Sequence, residues 1–157
     1  MKKTTIKTEG VLNAYRVLST AKYSKMDDAD KIKVWKISRT LKPIADKFDE
    51  DSKDAAERFK PSEDFDERLQ KAQEFERMVK DKDADMTKAQ MGAAEYAKFL
   101  EEFTAYQRLV GDAVKDFASK EVELEYDALS EDAFGKLMSS NEWTMEQVTM
   151  LGDIITE

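Results

Sequence analysis

The chain has neither cysteine nor histidine among its 157 residues. Without cysteine there is no disulfide framework and no thiolate metal site. Without histidine there is no general base that titrates near neutral pH and no imidazole metal ligand. Ser-His-Asp and Cys-His chemistry therefore cannot be assembled, nor can a ferritin-like di-iron centre, which needs Glu-x-x-His on two helices. Proline (two residues) and glycine (five) are scarce, so few positions interrupt regular structure. No apolar run approaches the length of a membrane span. The opening Met1-Lys2-Lys3-Thr4-Thr5-Ile6-Lys7 is basic but has no apolar stretch behind it. It does not read as a signal peptide, and a cytoplasmic location is expected.

What is present is charge and periodicity. Charged residues make up 38% of the chain and hydrophobic ones 41%, and the latter recur at helical spacing, which argues against disorder. The net charge of −8 comes from 34 acidic and 26 basic residues. A surface of that sign repels phosphate backbones, so no direct nucleic-acid partner is expected, and no membrane partner. The charge is too mixed for a mimic of DNA. The length suits one domain, residues 1–157, with a core of its own.

The longest pattern runs from Met86 to Phe117. Met86, Ala89, Ala93, Tyr96, Leu100, Phe103, Gln107, Val110, Val114 and Phe117 alternate at steps of three and four, which predicts one buried helix face. Thr87 and Gln90 have capping-box spacing, with Met86 and Met91 as a staple. A helix from about Lys88 to Ser119 would be on the order of 48 Å long, so other helices must pack along it.

Earlier in the chain, residues 3–8 read as extended, and Gly10 separates them from a helix over Val11–Tyr23. Asp27 or Asp28 is the expected N-cap of a second long helix, with Val34, Ile37, Leu41, Ile44, Phe48, Ser52, Ala55 and Phe59 on its stripe and Trp35 and Ala45 widening it. Pro43 falls inside that pattern. The phase continues across it, which predicts one kinked helix rather than two. Ser62 is the expected N-cap of a third helix carrying Phe65, Leu69, Ala72, Phe75 and Val79.

Beyond Ser119 the period becomes two. Val122, Leu124 and Tyr126 alternate with Glu121, Glu123 and Glu125, the pattern of a half-buried strand. A lone strand is unstable, and the only other extended segment is residues 3–8, which brings Lys3 and Lys7 against the glutamates. Two short helices close the chain, one capped by Ser130 and one by a Thr144–Gln147 capping box with Trp143 and Val148 as its staple. The expected fold is mainly all-α: a bundle of two long and several short helices, with a small two-stranded β-ribbon pairing the N-terminal segment with about 121–126.

Candidate sites are few. Asp81-Lys82-Asp83-Ala84-Asp85 opens like a calcium loop, but Met86 stands where the turn needs glycine and Gly92 where a bidentate glutamate belongs. It reads as a solvated turn. Glu63 and Asp66 have metal-carboxylate spacing, yet they fall in a first helical turn where acids serve the dipole. Glu95, Glu101, Glu102, Asp112 and Asp116 lie on the central helix. No catalytic, cofactor-binding or metal residue is assigned. Gln107, the polar member of the central stripe, reads as a buried amide that fixes packing, or as a groove contact. Phe99 and Tyr106, seven apart beside the stripe, either widen the core face or form a partner-binding patch together with Gln107.

The order of elements, with Val11-Leu12-Asn13-Ala14-Tyr15-Arg16-Val17-Leu18 near the start and Leu124-Glu125-Tyr126-Asp127-Ala128-Leu129-Ser130-Glu131-Asp132-Ala133-Phe134 after the strand, resembles small acidic helical proteins encoded in bacteriophage and prophage gene clusters. The resemblance implies a bacterial or phage origin and a non-enzymatic role, and it carries no functional residues across. The expected function is interaction or assembly through a helical surface, with a protein partner or a homodimer through the central helix. The alternatives are an all-α metal-dependent nucleotide pyrophosphohydrolase and an acidic regulator or inhibitor of a basic partner.

Overall fold

The computed structural model describes residues 1–157. In chain order the elements are β1 (Lys2–Lys7), α1 (Thr8–Ser19), α2 (Asp28–Arg58), α3 (Phe65–Lys80), a single 3₁₀ turn (Met86–Lys88), α4 (Ala93–Ser119), β2 (Glu121–Tyr126), α5 (Glu131–Ser139) and α6 (Met145–Ile155). The fold is mainly α-helical with one two-stranded antiparallel ribbon, as the periodicities predict. The ladder sets Lys3 opposite Glu125, Thr5 opposite Glu123 and Lys7 opposite Glu121. Lys3 Nζ lies 3.9 Å from the Glu125 carboxylate on an exposed face. Such a pair contributes at most about 1 kcal/mol, so the ribbon is held chiefly by its other face, where Leu124 and Tyr126 are buried.

The chain divides into two compact units, one of Met1–Asp51 with Lys115–Glu157 and one of Ser52–Val114. The core of the first is mainly aliphatic. Val11, Ala14 and Leu18 of α1, Val34, Ile37 and Leu41 of α2, and Leu137, Leu151 and Ile155 of the last two helices are buried together. The core of the second is aromatic, built on Phe65, Phe75 and Phe99, with Phe103, Tyr96 and Tyr106 packed against them.

Several boundaries differ from the sequence reading. Helix α1 starts at Thr8 and ends at Ser19, with Gly10 inside its first turn. The Thr8 N–H and hydroxyl each donate to the Lys120 carbonyl at 2.8 Å, so the helix begins directly off the ribbon without a glycine break. Helix α2 is continuous, and Pro43 stands inside it on the exposed side. Ser62 does not cap α3. Asp64 holds the N-cap position, and the Ser62 hydroxyl donates to its carboxylate at 2.6 Å. On α3 the buried residue at the end of the stripe is Met78, and Val79 is exposed. The two closing caps form as expected. Ser130 Oγ accepts from the Ala133 N–H at 3.2 Å, and Thr144 and Gln147 make the reciprocal pair of a capping box.

Candidate interaction surface

Helix α4 begins five residues later than the pattern from Lys88 predicts. Asp85, not Thr87, caps the preceding turn: its carboxylate accepts from the Thr87 N–H at 3.1 Å and from the Thr87 hydroxyl at 2.6 Å. That removes Thr87 from any capping box with Gln90. Met91 is buried in the aromatic core, and the first helical bond runs from the Tyr96 N–H to the Gly92 carbonyl at 2.9 Å.

The face that α4 buries is also turned about the helix axis relative to expectation. Within the second unit the packed positions are Tyr96, Phe99, Phe103 and Tyr106. Phe65 of α3 decides this, with ring centroids 5.7 Å from Phe99 and 4.7 Å from Tyr106. Phe75 meets Tyr96 at 4.6 Å. Aromatic pairs at these separations contribute beyond their burial. Arg68 reinforces the choice: its guanidinium lies 5.4 Å from the Phe99 ring centre and bonds Glu102 at 2.6 Å.

Three proposed contact residues therefore separate. Phe99 is 1% exposed and belongs to the core, out of reach of a partner. Tyr106 is half-buried, and its hydroxyl donates to the Ala56 carbonyl at 2.7 Å. Gln107 is exposed rather than a buried amide. What the rotation places outward instead is Leu100, 42% exposed, and Leu109, 50% exposed. Together with Glu101, Thr104, Ala105 and Arg108 they line one shallow groove along the helix. Sequence reading missed Leu109 and put Leu100 inside. The signal was there as a second apolar phase, since Phe99 and Tyr106 offered an aromatic alternative to Leu100 and Gln107 at the same spacing.

A second exposed apolar group lies in the first unit. Trp35 of α2 is 55% exposed rather than part of the core stripe, and Ile32 beside it is also exposed. The Arg39 guanidinium lies 4.8 Å from the Trp35 ring centre, which covers part of the indole with a charge that prefers water. Lys31, Tyr15 and Tyr23 line the same shallow depression.

Of the candidate acidic positions, Asp81 and Asp66 are engaged locally. Asp81 accepts from the Asp83 N–H at 3.0 Å, as a turn residue does. Asp66 bonds Lys60 at 2.9 Å, and Lys60 also reaches Glu57. No group of three or more Asp or Glu side chains is placed to share a metal ion. No helix is long and apolar enough to cross a membrane. No family model, curated protein or solved structure matches the chain.

Proposed function

We propose that this is a non-enzymatic interaction or assembly protein whose contact surface is the outward face of α4. The supporting observation is the pair Leu100 and Leu109, two large aliphatic side chains left about half in water on one helix whose opposite face is fully used by an aromatic core. Single exposed leucines are ordinary. Leu100 and Leu109 stand on the two flanks of one exposed face, with Thr104 and Ala105 between them, as on a helix surface that takes a partner. The Trp35 face supports the reading less, because Arg39 already occupies the indole. The order of elements, similar to small phage-encoded helical proteins, is in keeping with such a role.

The test is a paired capture. Immobilised wild-type protein and the Leu100→Glu/Leu109→Glu variant are exposed to bacterial lysate and to the protein itself, then washed at low and at high salt. An apolar contact survives high salt, whereas one made by the acidic surface is screened away. The reading predicts material held by the wild type through the high-salt wash and lost from the variant. Equal retention by both would contradict it, and retention only at low salt would favour the acidic-regulator alternative.

A further inference from the structure

We propose that the exposed side of α2 around Trp35 binds single-stranded nucleic acid, with a base stacked in the aromatic depression and phosphates on the cations one turn to either side. The site lies in the first unit and does not depend on the α4 reading. The first ground is charge. A net −8 argues against a nucleic-acid partner where the charges are mixed, and in this chain they segregate. Residues 1–42 carry eleven basic and four acidic residues, and no acid falls between Lys31 and Lys42. Lys31, Trp35, Arg39 and Lys42 follow at steps of four, four and three. They therefore share one side of α2, within about 40° of the indole, and Lys31 and Arg39 each stand about 6 Å from Trp35 along the axis. Lys31 and Lys42 pair within α2, with Asp28 at 3.8 Å and Asp46 at 2.7 Å. Arg39 has no carboxylate partner. Carboxylates farther off than a Debye length, about 8 Å at physiological salt, are largely screened from this face.

The second ground is the aromatic lining. Trp35 is 55% exposed even though the Arg39 guanidinium lies 4.8 Å from its ring centre. Burial of so large a ring is ordinarily favourable. This one stands in water beside a depression whose other walls are Tyr15, Tyr23, Ser19, Ser38 and Lys31. The Tyr23 hydroxyl donates to the Leu18 carbonyl at 3.0 Å, which anchors that ring. Flat rings bracketed by cations match a ligand that offers flat rings bracketed by anions. A single strand is such a ligand, because its bases have free faces for stacking and its phosphates alternate with them. A duplex keeps its base faces stacked within itself and offers chiefly phosphates to such a surface. An acidic peptide offers carboxylates without the rings. Arg39, planar and resting on the indole, has the geometry to hold a phosphate through two N–H groups.

Trp143→Phe leaves Trp35 as the sole tryptophan, so its fluorescence reads the contact directly. That protein is titrated at about 50 mM salt with short oligo(dT) and oligo(rU), with a duplex of the same length, and with polyglutamate. Single strands should quench it saturably, with a dissociation constant of about 1–100 µM. Affinity should fall with salt at a log–log slope of about −2 if three cations meet phosphates. Anisotropy of a dye-labelled strand then compares variants of the full chain. Trp35→Ala should weaken binding about tenfold or more and Trp35→Phe by less, because phenylalanine still offers a ring. Arg39→Glu should weaken binding about tenfold and lower the salt slope. Both positions are exposed, so thermal unfolding of Trp35→Ala and Arg39→Glu should stay close to wild type. Three results would each overturn the proposal: no saturable quenching up to about 1 mM strand, duplex or polyglutamate bound as tightly as the single strands, or both variants binding like wild type.

Discussion

Tyr126 ends β2 with its ring buried and its hydroxyl donating to the Ile154 carbonyl of α6. It links the ribbon to the closing helix by one polar contact in an apolar setting. Burial disfavours the phenolate and pushes this tyrosine's pKa from 10.0 to about 12. The folded state thus holds the proton more tightly than the unfolded chain. The resulting stability is complete below about pH 10 and is lost as pH rises toward 12. Tyr126→Phe should cost about 1 kcal/mol at neutral pH through the lost hydrogen bond. It should also flatten the decline in urea-unfolding free energy between pH 10 and 12. Parallel pH curves for the two proteins would show that Tyr126 is not the group responsible. Lys2 reinforces the same region, with its ammonium donating to the Thr156 and Asp153 carbonyls at 2.7 and 3.0 Å.

At the scale of the element, α4 carries two apolar phases and the structure selects one. Phe99 and Leu100 are neighbours in sequence with opposite fates. Truncating Phe99 to alanine should therefore cost about 3–5 kcal/mol, whereas Leu100→Ala should stay within about 0.5 kcal/mol in the monomer. Thermal or chemical denaturation at low protein concentration measures both, and equal costs would contradict the assigned phase. Elements fixed by local chemistry were legible in the chain. The ribbon followed from strict alternation and the sign of its cross-strand charges, and the Ser130 and Thr144 caps from spacing alone. The phase of α4 was not legible, because it is decided by Phe65 and Phe75 of α3, whose rings choose Phe99 and Tyr106 over Leu100 and Gln107. The start of α4 was hidden for a related reason: Asp85 outcompeted Gln90 for Thr87. Trp35 read as core because its spacing fits the stripe, and only the tertiary placement shows that Val34 and Ile37 take the buried side. Of the two readings open for Phe99 and Tyr106, the structure takes the one that widens the core, while Gln107 lies exposed.

For the whole molecule the governing quantity is the net charge of −8. Two copies repel at long range, so any self-association has to work at short range and is best sought where salt has cut the Debye length to about 8 Å. The absence of cysteine makes the geometry directly readable, since any thiol introduced is the only one present. The decisive measurement is the rate at which a water-soluble maleimide labels Leu100→Cys, Leu109→Cys and Phe99→Cys proteins under native conditions. The account predicts ready labelling at the two leucine positions and protection at Phe99. Labelling of Phe99→Cys as fast as Leu100→Cys, or protection at both leucine positions in the isolated protein, would contradict it.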